Sequence, residues 1–165
     1  MAIDISVHLP NAFICDHWHQ LLPDWVVPVL SILIVLQHCP VSLRTKTPET
    51  EVHKRQLREQ FLQLGQQIVG RLQEMGYHAD LFDPRTGQPV FSPPGSLALD
   101  DVAVVQDALG YPAIQAGGCW LINHPRWGAA VFPSVIVSSA QPEVTAKIAK
   151  GLIATDAFEG GNANA

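Results

Sequence analysis

Three cysteines and seven histidines carry most of the soft-donor and proton-transfer chemistry open to this chain. The densest stretch runs Gly117-Gly118-Cys119-Trp120-Leu121-Ile122-Asn123-His124-Pro125-Arg126-Trp127-Gly128 and combines a thiol, an imidazole, a guanidinium and two indoles. A thiol that follows two glycines has little side-chain bulk on its N-terminal side, so a large partner or a soft metal can approach it. Thiolate character and access decide whether such a group reacts. Two readings of Cys119 stand side by side. One is a buried cysteine acting as a small hydrophobe; the other is an exposed ligand or redox thiol. His124 and Arg126 favour the thiolate only if they fold back onto it. The plainer alternatives are a capping arginine and a core tryptophan at Trp127.

A second cluster joins Cys15-Asp16-His17-Trp18-His19 to His38-Cys39. Zinc sites show paired ligands at short, repeated spacing, and this i, i+2, i+4 pattern matches no common site. A turn with scattered histidines explains it as well. Asp83-Pro84-Arg85-Thr86-Gly87 holds a carboxylate and a guanidinium, but turn geometry alone accounts for these residues. Asp100-Asp101 opens a helix and complements its dipole. The sequence holds no G-x-G-x-x-G, P-loop, H-E-x-x-H or G-x-S-x-G motif, so no standard nucleotide or hydrolase site is supported.

The elements that must position these residues are legible in part. Residues 1–25 show no clean period. Residues 29–37 form a continuous aliphatic run that suits a strand covered on both faces. A long helix follows, with Thr47 as N-cap, Pro48 in its first turn, and Glu49 and Glu51 complementing the dipole. Leu57, Phe61, Leu64, Ile68, Leu72 and Met75 form its apolar stripe, and Gly76 ends it. Its other face, with Lys54 and Arg58, reads as solvated. Tyr77–Phe82 and Gln88–Phe91 read as a hairpin around the 83–87 turn. Leu99–Leu109 is a short helix. Gly118–Asn123 and Ala129–Ser138 are strands, with Pro133 marking an edge or a bulge. Pro142 opens a last helix with Val144, Ile148 and Leu152 on one face. This order of elements is α+β.

Bulk properties narrow the function classes. A chain of 165 residues is long enough for one domain with a sizeable core. Net charge is −5 and the pI about 5.7, which gives no electrostatic footprint for nucleic acid or anionic lipid. Charged residues are scarce at 15%, a composition that suits apolar surface hidden in a partner or a homodimer. Three cysteines at irregular spacing point to a reducing compartment rather than a disulfide framework. The run Val26–Leu36 is too short to span a bilayer. A cytoplasmic location is the expectation.

Read together, Gly76-Tyr77-His78-Ala79-Asp80-Leu81-Phe82-Asp83-Pro84 with Gly87, then Leu109-Gly110-Tyr111, Gly117, Cys119, Ile122, His124 and Trp127-Gly128 form two ordered blocks. With them the chain resembles the methylmalonic aciduria and homocystinuria type D protein family of intracellular vitamin B12 trafficking adaptors. The resemblance runs from about residue 49 to about residue 153. It implies a nitroreductase-like α+β sandwich with a mostly antiparallel sheet, one long helix and a lost flavin site. It also implies a non-catalytic adaptor that docks on a B12-processing chaperone and serves client B12 enzymes. No cofactor would be held permanently; cobalamin would be shared with the partner. Domain limits follow as 1–48 for an N-terminal arm and buried strand, 49–155 for the family-like domain, and 156–165 for a disordered tail.

The resemblance further implies a cysteine thiolate offered to cobalt, with Cys119 as the donor and Gly117, Gly118, His124 and Trp127 around it. Soft donors suit such a metal centre. The sequence departs from the family pattern at this very place. The family typically has two adjacent cysteines, and here Gly118 precedes Cys119. If the first of the pair is the ligand, Cys119 points to the other face of its strand unless the register shifts by one. A flavin-dependent nitroreductase-like oxidoreductase is the alternative. It lacks support in basic residues, since only Arg44 and Lys46 precede the long helix.

Overall fold

The uncharged run Ser31–His38 forms strand β2, and seven of its eight residues are buried. Apolar side chains on both faces require cover on both faces, so this strand lies inside the sheet. In the computed structural model, which describes residues 2–162, its neighbours are β1 (Ile3–His8) and β6 (Val131–Ser138). The short β3 (Ala79–Leu81) completes a four-stranded sheet in the order β1-β2-β6-β3. Every pairing is antiparallel. Residues 1–48 therefore supply half of the sheet's strands, an organisation that the aperiodic look of residues 1–25 conceals.

Helices cover both faces. The long α2 (Pro48–Glu74) and α4 (Pro142–Asn162) lie on one side. There Phe61, Ile68, Leu72 and Ala149 pack against Leu33, Val35 and Ile136. On the other side are α1 (Ala12–Leu21) and α3 (Asp101–Leu109). Their Ile14, Leu21, Val104 and Val105 meet Ile32, Ile34, Val135 and Val137. The expected α+β class holds as three layers with an antiparallel sheet in the middle. No helix among the described residues is long and apolar enough to cross a membrane.

The start of α2 follows its sequence signals. Thr47 Oγ1 accepts the Thr50 N–H at 3.1 Å, and Thr50 Oγ1 accepts the Thr47 N–H at 2.8 Å. This reciprocal cap satisfies two donors that the first turn cannot. The apolar stripe ends at Leu72, because Met75 is the C-cap and is 57% exposed. Arg58, expected in solvent, instead pairs with Asp83, its Nε 2.8 Å from Oδ1. That guanidinium holds the Asp83 carboxyl below the usual carboxylate range.

The hairpin expected over Tyr77–Phe91 is short, closed around its turn by Asp83 N–H to Gln88 O at 2.9 Å and Val90 N–H to Leu81 O at 3.0 Å. β3 pairs with β6, and the return limb makes one bridge, Phe82 with Pro89. Pro89 has no N–H for a ladder, the Val90 N–H is shared between Leu81 O and a side chain, and the next two N–H groups are taken elsewhere. The fully buried Asp80 carboxylate accepts from Val90 at 3.2 Å, Phe91 at 3.1 Å and Ser92 at 2.7 Å, besides Leu81 at 2.8 Å. Pro133 behaves as an edge residue, as expected. Odd-numbered β6 positions bond toward β3, as Val135 does with Phe82, and β3 ends before it reaches Pro133. Helix α4 continues to Asn162, so most of the tail expected to be disordered (156–165) is helical. Its last three residues lie outside the described residues.

Asp100 caps α3, its Oδ1 accepting the Ala103 N–H at 3.1 Å. Asp101 lies in the first turn as expected, but its carboxyl is buried. Its Oδ1 is shut off from solvent without a hydrogen bond, and burial beside Asp100 and Asp83 pushes its carboxyl well above the usual range. A carboxyl raised in the folded state contributes full stability below its unfolded pKa and loses it as pH rises toward the folded value. Asp101→Asn is therefore expected to raise the melting temperature at pH 7 and leave it nearly unchanged at pH 3.5. Equal shifts at both pH values in thermal scans would contradict this.

Candidate functional site

Strands β4 (Ala113–Ala116) and β5 (Cys119–Ile122) form a separate two-stranded hairpin. The strand expected to begin at Gly118 starts one residue later, and β4 was not foreseen. Gly117 and Gly118 join the two strands with φ of +56° and +79°, the signature of a two-residue type I′ turn. The right-handed twist of the strands selects that turn, and only glycine enters it without strain. Cys119 closes the turn opposite Ala116.

Alternation along β5 then sets the faces. Cys119 and Leu121 share one face, and Trp120 and Ile122 share the other. At the root, Ile122 is buried among the core residues near α3, and Leu121 packs against Cys39, Leu43 and Leu57. Toward the tip, Cys119 is exposed and Trp120 is 58% exposed. The reading of Cys119 as a buried hydrophobe thus falls away. An added Cβ at Gly118 would meet nothing within 4 Å, so the backbone alone restricts this position. A non-glycine residue in the left-handed region costs about 1–2 kcal/mol. Gly118→Ala is expected to speed amide exchange across Ala116–Cys119 about tenfold, and Gly118→Asn less, because asparagine tolerates this region. Unchanged exchange in the alanine variant would rule out the turn assignment.

His124 lies at the hairpin's base, in a turn closed by reciprocal backbone bonds with Gly128. The residue is 3% exposed. Nε2 is 3.0 Å from Asp4 Oδ2, and Nδ1 accepts the backbone N–H groups of Arg126 at 3.1 Å and Trp127 at 3.2 Å. That pattern places the hydrogen on Nε2 and leaves Nδ1 as an acceptor. Trp127 stacks on His124 at 4.2 Å between centroids, and His38 stacks on Trp127 at 5.1 Å. Arg126 Nη2 reaches both Asp4 oxygens at 3.0 and 3.1 Å.

The structure brings His124, Arg126 and Trp127 together, and brings Asp4, Tyr111 and His38 to them. It does not bring this group to the thiol. No hydrogen bond or ion pair among the described residues joins His124 or Arg126 to Cys119; both are held by Asp4. Five residues of extended chain separate the imidazole from the thiol by up to about 16 Å. His124 acts as a latch that fastens the base of the hairpin to β1. Asp4 was missed by the sequence reading, although Ile3, Ile5 and Val7 alternate around it.

The second cluster does not assemble. Cys39 is buried and Cys15 exposed, His17 bonds Gln20 at 2.8 Å, and His19 stacks on Trp18. No group of three or more histidine, cysteine or acidic side chains among the described residues is arranged to hold a metal ion.

The family described as methylmalonic aciduria and homocystinuria type D protein has a sequence model that matches residues 1–150. A Homo sapiens protein named Cobalamin trafficking protein CblD is 29% identical over 126 residues, covering 76% of this chain and 43% of that protein. Its namesake from Rattus norvegicus is 29% identical over 123 residues, 74% of this chain and 42% of the relative. The Gallus gallus namesake is 25% identical over 141 residues, 86% and 48% respectively. The chain spans less than half the length of these curated relatives. The match begins at residue 1 rather than near residue 49, so β1 and β2 belong to the shared region. Taking in the whole sheet and the glycine-turned hairpin that carries Cys119, it shows that this chain belongs to the methylmalonic aciduria and homocystinuria type D protein family.

Proposed function

We propose that this protein is a cobalamin-trafficking adaptor that presents the Cys119 thiol to the cobalt of a cobalamin held by a B12-processing partner. One observation carries the reading: the exposed thiol closes a tight turn at the tip of a hairpin whose root is fixed in the core. A bulky corrin cannot enter a core, but a projecting strand end can reach the axial face of a corrin bound elsewhere. Sulfur is a suitable donor to the electron-rich cobalt. The chain itself serves as a ligand-bearing arm rather than a catalyst, and cobalamin is cargo shared across the contact.

Family membership and the relatives' names support the trafficking role. Gly118 stands where the family has its first cysteine, and as the second turn residue it leaves Cys119 to act alone. The central antiparallel sheet with its long helix fits descent from a nitroreductase-like fold without flavin. A protein that purifies yellow and releases flavin on denaturation would favour the oxidoreductase reading instead. The deciding experiment is a UV-visible titration of cob(II)alamin with this protein, with and without a B12-processing protein. A spectral change that requires both proteins is the expected result. Identical spectra in every mixture would remove cobalt ligation from the proposal.

A further inference from the structure

Strand β1 is an edge strand with little of the usual protection, since its one charge, Asp4, is held by His124 and Arg126. Its pairing with β2 runs unbroken from Ile3 to His8, with no bulge, proline or lysine, features that otherwise blunt sheet edges. The direction of its backbone groups follows from one bond. The His38 N–H donates to Ala2 O, so in this register Ala2, Asp4, Ser6 and His8 bond to β2. Ile3, Ile5 and Val7 direct their N–H and C=O groups outward.

Beside this edge, β1 and α4 frame a shallow groove of about 290 Å³, lined by Ile5, Ser6, Val7, Glu143, Ala146 and Lys150 among others. Small Ala146 stands mid-way along the helix side, with the exposed Glu143 one turn before it and the exposed Lys150 one turn after. Among the described residues neither charge forms an ion pair. A two-fold axis through this point sets Glu143 against Lys150 of a second copy, twice, and lets the helices approach at alanine. The strand side has the same symmetry. An axis at Ser6 pairs the outward-facing Ile5 with Val7 of the copy, and Val7 with its Ile5, and brings exposed Leu9 opposite Ile3. Asp4 then stands opposite His8, so no like charges meet.

We propose that two copies of this chain associate through β1 and α4, joining their sheets into one of eight strands. The dimensions agree. Strands lie about 4.8 Å apart, so a helix seated over β1 and β2 lies about 5 Å from the axis. The two copies of α4 then stand about 10 Å apart, within the ordinary range for packed helices. A homodimer was left open by the sequence. This interface does not involve Cys119 and stands independently of the trafficking reading.

Sedimentation velocity from 1 to 100 µM tests it, with circular dichroism confirming that each variant is folded. The wild type is expected at twice the 18.0 kDa chain mass at the upper concentrations. Glu143→Lys and Lys150→Glu are each expected to be monomeric, and their equimolar mixture to recover the dimer, because both contacts are again between opposite charges. Ser6→Cys, in a chain whose Cys15 and Cys119 are serine, tests the strand register. Non-hydrogen-bonded partners lie about 4.5 Å apart, within disulfide reach, so an oxidant should cross-link two chains. A wild type monomeric at every concentration overturns the proposal. Single variants that remain dimeric, or a mixture that stays monomeric, overturn it equally.

Discussion

Replacing Cys119 by serine is expected to abolish the partner-dependent change in the cob(II)alamin spectrum completely. Serine keeps the size and hydrogen-bonding capacity of the side chain, so the hairpin and its docking surface persist. It offers a hard, protonated oxygen where the metal favours a soft anionic sulfur. Two controls separate donor loss from hairpin damage. Cys15→Ser removes the other exposed thiol and should leave the spectrum untouched. Gly118→Ala should weaken the hairpin without removing the donor, so more protein is needed while the limiting spectrum stays the same. A full spectral change with Cys119→Ser would exclude the thiolate and confine the hairpin to docking.

The largest expected effect on stability comes from Asp80→Ala. This buried carboxylate organises four backbone donors from Leu81 and from Val90 to Ser92. Among the described residues the N–H groups of Phe91 and Ser92 have no second acceptor. A buried donor left unsatisfied costs about 1–3 kcal/mol; the bonds of Val90 to Ser92 are only part-buried, so the expected loss is about 3 kcal/mol in all. Against a typical domain stability of about 5–15 kcal/mol, that is a fifth or more. The 89–92 segment should detach from β3, and with it the Ser92 Oγ that accepts from Trp25 Nε1 at 3.2 Å. Asp80→Asn keeps Oδ1 but turns an N–H donor toward either Ser92 or the other three, so an intermediate loss is expected. Urea unfolding measures both. A midpoint for the alanine variant that reflects a loss under about 1 kcal/mol would show that the network is dispensable.

Local pattern announced the elements whose partners are close in sequence or whose period is long. β2 is recognisable by its aliphatic run, α2 by its cap and stripe, and α3 and α4 by their opening residues. β1 is only six residues long and interleaves its isoleucines and valine with Asp4, Ser6 and His8, so its period-two pattern is easily read as noise. Helix α1 hides its face among histidines and a tryptophan, although Asn11 does cap it, accepting the Ile14 N–H at 2.9 Å. β4 consists of Ala-Ile-Gln-Ala, and only its pairing with β5 makes it a strand. The site shows the same division. Glycines before Cys119 marked access correctly, but the thiol's exposure depends on a hairpin that outruns the core. The latch joining Asp4 to His124 spans 120 residues, and no local spacing encodes it. Asp80 reads as an ordinary strand-end acid until the loop ten residues on folds over it.

The position of β2 also sets a timetable for synthesis. It pairs along its whole length with β6, so roughly a hundred residues must leave the ribosome before its second neighbour exists. At about 5–20 residues per second, that delay is roughly 5–20 s. Throughout it, the most apolar strand of the protein has a bare edge and can draw in other nascent chains. A message cut short before residue 131 would leave that edge bare permanently, and its product would be cleared as an aggregate rather than persist as a smaller domain.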